Sequence, residues 1–306
     1  MAKEITTQDL QTKFIDIINT YHEYVNNFNL GENNAILKLI LAKTLTNLCS
    51  ANLLWSKALF YDSFILLRSS FESFILFEYL VSFPDEVDTY KLDSEISEFK
   101  NLYGYYKRGL LSIEQLSEVF LELQDETKAK LKINIDPKTN LIEFNLKKLE
   151  GFFKSHKSIL QNPFKMMDKL KEAKHPYIKE IDCYSLHTWN INSQMVHGEF
   201  HHLKNYFIKT EFNENEYQSE LLDKIKECFR QSSAIIVYSM ESINSLIEDS
   251  KDFKISVWEK IKLFHKYLGY DVSRLFNQKI IEQSDLIQII KNPILIPVYN
   301  PTQKYK

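Results

Sequence analysis

Arg68 and Glu72 stand four residues apart, so on a helix they share one face. Both lie in the most apolar stretch of the chain, residues 63–80. A guanidinium carries permanent charge and a fork of donors that fits a carboxylate or a phosphate. Charges in apolar surroundings are costly unless paired and hydrogen-bonded. The pair is therefore expected to be buried and to meet polar partners from elsewhere in the fold. Residues 190–198 are the best source. There Asn190, Ser193 and His197 fall at i, i+3 and i+7 and make one polar stripe, with Ile191, Met195 and Val196 largely off it. The economical arrangement packs this stripe against Arg68 and Glu72, with Arg68 bonded to Glu72. Imidazole, with an ordinary pKa of about 6.5, can give or take a proton near neutrality. His197 can equally be a cation resting at a helix C-terminus. Arg68 can clamp a phosphate or belong to a buried structural pair, the latter being the natural role for Glu72.

The elements that position these residues read as helices. Apolar residues recur every three or four positions over 8–29, from Leu10 and Phe14 to Val25. A turn around Gly31 separates this segment from a second helix over 35–60 and a third over 62–82. Pro84 ends the third, because proline disfavours a helical residue before it. Helices are expected over 85–107, with an acidic opening that suits the helix dipole, and over 113–131, where Ser112 and Gln115 form a capping box. Residues 132–144 read as a small hairpin or extended loop around Asp136-Pro137. A further helix covers 177–198 and ends at Gly198, a residue suited to a left-handed terminus. Beyond an acidic loop come helices over 216–249 and 253–267 and a weak one near 281–291. The fold class expected is all-α: a bundle of long helices with a central buried helix at about 62–82, organised as a bundle over 1–210 and a C-terminal helical extension over 211–306.

Composition agrees. The 306 residues hold only 6 Gly and 7 Pro, too few breakers for an all-β fold, and 21 Phe and 17 Tyr to build a core. A net charge of −3 argues against a general nucleic-acid coat protein, although a local patch remains open. Cys49, Cys183 and Cys228 lie far apart without a CxxC pair and read as reduced thiols in a cytoplasmic protein. The first residues lack an apolar core of the signal-peptide kind. The stretch 63–83 is long enough to span a bilayer but carries Arg68, Glu72 and Glu78, so no membrane span is expected. No GxGxxG, GxxxxGK[ST] or GxSxG motif is present. No cofactor is implied. His197, His201, His202 and Glu199 invite a metal reading, but Gly198 breaks the helix between the first two, and no metal is expected. The Lys-rich segment 145–175 is either an RNA-facing surface or a solvated face. Tyr103, Tyr105 and Tyr106, beside Lys107 and Arg108, can stack on bases or pack a helix end.

The run Leu66-Leu67-Arg68-Ser69-Ser70-Phe71-Glu72, followed by Ser193-Gln194-Met195-Val196-His197-Gly198, resembles a bacterial family of HEPN-like proteins (higher eukaryotes and prokaryotes nucleotide-binding) over roughly residues 35–205. Many members of that superfamily are metal-independent RNases of toxin, abortive-infection and antiviral defence systems. They activate a ribose 2′-hydroxyl against the adjacent phosphate, with two motifs meeting across a homodimer. The resemblance implies that His197 transfers a proton or contacts phosphate, that Asn192 and Ser193 orient it, that Arg68 stabilises phosphorane charge, and that Glu72 fixes Arg68. The RNase motif places Arg a few residues before the His, whereas this chain has Asn192 there. Non-catalytic relatives bind nucleotides or partner proteins, and a purely structural polar lock at Arg68 and Glu72 is a third reading.

Overall fold

A computed structural model describes residues 7–26, 32–56, 59–143, 146–156, 158, 162–185, 228–229, 231–240, 242–243 and 259–261. The chain forms two compact units. One comprises Met1–Glu78 and Lys174–Lys306; the other, Tyr79–Ala173, is inserted between them in sequence. Both are built of helices, as the scarcity of breakers predicts.

The first unit contains α1 (Thr7–Asn26), α2 (Glu32–Ser56) and most of α3 (Phe60–Ser82). α1 buries Phe14, Ile17, Ile18, Tyr21 and Val25, the face set by its 3–4 spacing. α2 buries Leu37, Ile40, Leu41, Leu45 and Leu48. Helical residues 228–229, 231–240 and 242–243 are buried at every position, so this segment shares the centre of the unit with α3. Phe229 meets Phe14 edge to face, with ring centroids 4.8 Å apart. Ser239 hydrogen-bonds Tyr21 at 2.6 Å, which gives a buried phenol its partner.

α3 runs on into the second unit, where Pro84 ends it; the Phe83 amide closes its last turn on the Tyr79 carbonyl. The inserted unit continues with α4 (Glu86–Lys107), α5 (Ile113–Glu122) and α6 (Asp125–Leu131). A two-residue antiparallel ladder follows, β1 (Asn134–Ile135) with β2 (Ile142–Glu143), in register Asn134 to Glu143 and Ile135 to Ile142. The unit closes with α7 (Leu146–Ser155) and α8 (Pro163–Glu172). Ile96, Phe99, Leu116, Phe120, Leu149 and Phe153 form much of its core.

The small hairpin and the Ser112–Gln115 capping box are present as expected. The single helix expected over 113–131 is instead two. Leu123 and Gln124 are extended, and the Glu95 carboxylate of α4 accepts from the Gln124 amide at 3.2 Å and from the Thr127 hydroxyl. A side chain from another helix thus caps α6 and stops α5. The basic stretch also holds two helices the sequence reading left unassigned. Asn162 caps α8 by accepting from the Lys165 amide at 3.1 Å, and Pro163 opens it. α9 (Ile178–Ser185) returns to the first unit. The domain boundary expected near 210 lies outside the described residues.

Candidate functional site

Arg68 Nε donates to Glu72 Oε1 at 3.0 Å, the bond expected from their spacing. The expectation that the pair is sealed in the core is corrected: the side chains are 18% and 38% exposed. α3 is not equally buried all round. Phe64, Leu67, Phe71, Phe74 and Ile75 face the core, whereas Ile65, Arg68, Ser69, Glu72 and Leu76 make a half-open stripe. An apolar sequence with period 3.6 cannot show which stripe the fold leaves open. Ser69 on that stripe accepts from Asn47 Nδ2 of α2 at 3.1 Å. Asn47 was missed; its only signal is an amide amid the apolar positions of a helix. Asn190, Asn192, Ser193, His197 and Gly198 lie outside the described residues, so the described part of this site is Arg68, Ser69, Glu72 and Asn47.

The fully buried charge-bearing residue of α3 is Glu78, with no exposed side-chain surface. His175 Nε2 lies 3.2 Å from Glu78 Oε2, and the Ser242 hydroxyl donates to the same oxygen. The Tyr177 amide donates to His175 Nδ1 at 3.3 Å. Nδ1 is therefore the acceptor, and the ring hydrogen sits on Nε2, aimed at Glu78. Glu78 Oε1 has no partner among the described residues. Burial pushes the Glu78 carboxyl up from its ordinary range, against the opposing pull of His175 and Ser242. Ser, His and Glu are the residue types of a hydrolase triad, but the connectivity differs. Ser242 sends its hydrogen to the carboxyl, not to the imidazole, so His175 does not activate it as a nucleophile. The cluster is a buried polar lock of the kind proposed for Arg68 and Glu72, at a different place.

The lysines of 145–175 that the structure describes are exposed, on α7, on α8 and just past its end. Tyr103 is buried against Phe153, with centroids 5.6 Å apart, and its hydroxyl donates to Glu150 at 3.4 Å. Lys107 bonds the same carboxylate at 2.5 Å. This arrangement is helix packing, so Tyr103 has no face to offer a base. Cys49 is half-buried and Cys228 buried, both as free thiols; burial pushes the Cys49 thiol up, the opposite of an activated nucleophile. The side chain of Cys183 and the whole of His201, His202 and Glu199 lie outside the described residues. Among the described residues no helix is long and apolar enough to cross a membrane.

Residues 34–217 match a family of unknown function, DUF5677. The chain belongs to that family. No curated protein and no solved structure matches it. The DUF5677 span takes in the whole inserted unit, together with Asn47, Arg68, Glu72, Glu78 and His175; Ser242 lies beyond it. Asn192, Ser193 and His197 also fall within the DUF5677 span.

Proposed function

We propose that this DUF5677 protein is a HEPN-like effector of bacterial defence or toxin type that acts on RNA as a metal-independent endoribonuclease. The observation that carries the reading is the exposure of the Arg68–Glu72 pair. A guanidinium must be reachable from solvent to meet a phosphate, and this one stands on a half-open stripe of an otherwise core-facing helix. Glu72 engages the inner Nε, an arrangement that fixes the guanidinium plane from behind. In this reading Arg68 stabilises charge building on a phosphorane, an electrostatic role that can be worth several kcal/mol. Glu72 positions Arg68, His197 transfers the proton or contacts phosphate, and Asn192 and Ser193 orient it. The protein would work in the cytoplasm as a homodimer, each copy contributing half a site, with the Lys-rich segment 145–175 facing RNA.

A second reading, a non-catalytic module that binds a nucleotide or a partner protein, is favoured by Asn192. An amide supplies a dipole where the RNase motif supplies permanent charge. One experiment separates the two. Wild type, His197→Ala and Arg68→Ala are expressed in a bacterial host, growth is followed with and without phage, and total RNA is resolved. Growth arrest with RNA cleavage in wild type, lost in soluble His197→Ala, supports the RNase. Intact RNA under both conditions selects the binding module.

A further inference from the structure

The inserted unit contains a cavity of about 740 Å³, bounded by the end of α6, the hairpin and α7. That volume is within the range of small-molecule sites, roughly 300–1,000 Å³. Lys130, Lys132, Asn134, Glu143, Lys148 and Phe152 line its rim and wall, and the buried Leu131 and Leu149 contribute apolar surface. Three cations therefore face one carboxylate. Elsewhere in this unit Lys91, Lys107, Lys128 and Lys169 each pair with a carboxylate. Lys130 and Lys132 make no ion pair among the described residues.

Lys132 ends α6 in the left-handed region, with φ 53°. Glycine is the residue that fits there without strain, and a side chain with a Cβ is uncommon. Lys174, past the end of α8, adopts the same conformation (φ 56°), so what sets Lys132 apart is its place on the cavity wall. A cation near the end of α6 is also favoured by the helix dipole, but Lys128 and Lys130 already provide that in the last turn. Phe152 is half-buried, with His156 stacked at 5.3 Å and 19°, and so presents an aromatic ring held by a neighbouring one. Glu143, opposite Asn134 on the hairpin, can accept from hydroxyl or amino groups.

We propose that this cavity binds a single nucleoside phosphate. The phosphates would meet Lys130, Lys132 and Lys148, the base would lie on Phe152, and Glu143 and Asn134 would hydrogen-bond the sugar or the base edge. The site lies apart from the Arg68 stripe; Lys148 also belongs to the Lys-rich segment that the RNase reading turns towards RNA, so the RNA arm of the test below separates the two uses.

The test is titration calorimetry of the full chain with ADP, with inorganic pyrophosphate and with a short single-stranded RNA. ADP should bind saturably, and Lys132→Gly and Lys148→Ala should each weaken it by about tenfold or more, the effect of losing a charge-assisted contact. Both lysines are exposed, so these variants keep the fold, and Lys132→Gly should melt no lower than wild type. Phe152→Leu should weaken ADP while leaving pyrophosphate unchanged. Arg68→Ala should leave ADP binding intact. Absence of saturable ADP binding overturns the proposal. So does equal affinity for pyrophosphate, which would mark a plain anion site, or binding of RNA alone. Loss of ADP binding in Arg68→Ala would place the ligand in the other unit and overturn it equally.

Discussion

His175 holds Glu78 from 3.2 Å, and the two residues stand at the two points where the chain passes between compact units. Glu78 is the last residue of the first unit before the insertion, and His175 the second residue after the chain returns. Ser242, which lies 164 residues beyond Glu78 in sequence, completes the lock. One buried carboxyl thus ties together three distant parts of the same unit.

The lock should make stability pH-dependent. Burial raises the Glu78 pKa in the folded state, so folding favours the protonated acid. The stability it contributes is fully present below the ordinary glutamate value of about 4.3 and is lost as pH rises through the folded-state value. Glu78→Gln keeps an acceptor oxygen and removes the ionisation. Melting curves from pH 5 to 8 should show wild type losing stability, relative to the variant, as pH rises. Parallel profiles for the two proteins would remove Glu78 as the titrating group. His175→Ala should cost about 1–3 kcal/mol, the typical effect of removing the partner of a buried polar group, and more at pH 8 than at pH 5.5.

The cap on α6 gives a second prediction. Glu95 serves both the Gln124 amide and the Thr127 hydroxyl. Glu95→Ala should destabilise the protein by about 1–2 kcal/mol, a magnitude typical of a lost helix cap. Hydrogen exchange should rise in residues 124–128 ahead of the rest of the unit. Unchanged exchange there would mean that α6 is held by packing through Leu131 and not by its cap.

These two features also mark how far the sequence could be read. α1 to α4 follow from apolar spacing and from Pro84, because such signals are local. The Ser112–Gln115 box was legible for the same reason. The break at Leu123–Gln124 was not, because the group that stabilises it comes from α4. α7 and α8 were hidden by their lysines, although Leu149 with Phe153, and Met166, Met167 with Leu170, make buried faces at helical spacing. In the candidate site, the Arg68–Glu72 bond was legible from an interval of four residues. Its exposure was not, because the choice of open stripe on α3 is tertiary. Glu78 stood out in the sequence only as a charge unsuited to a membrane span, and nothing local pointed to His175 as its partner.

Asn52 offers a stabilising change. It lies on α2, 1% exposed, and neither Nδ2 nor Oδ1 has a hydrogen-bond partner among the described residues. A buried amide without partners carries its desolvation cost uncompensated. Leucine has the same branched heavy-atom skeleton and no polar atoms, although its methyl groups are bulkier, so where the site accommodates them Asn52→Leu should raise stability by about 1–2 kcal/mol in denaturant unfolding. Loss of stability in both Asn52→Leu and the smaller Asn52→Ala would show that the amide is hydrogen-bonded in solution, for instance through a buried water; loss in Asn52→Leu alone would mark overpacking.

The Arg68–Glu72 pair should separate stability from function. The pair is partly exposed, at 18% and 38%, so solvent screens it, and such pairs contribute up to about 1 kcal/mol. Arg68→Ala and Glu72→Ala should therefore unfold within about 1 kcal/mol of wild type. Under the proposed function, Arg68→Ala should nevertheless abolish RNA cleavage. Glu72→Ala should weaken it less, because Glu72 acts by holding Arg68. Arg68→Lys restores the charge without the fork, so it should recover stability but only part of the activity. If instead Arg68→Ala unfolds the protein while Arg68→Lys is fully active, the guanidinium has no role at a phosphate and the pair belongs to the architecture of α3.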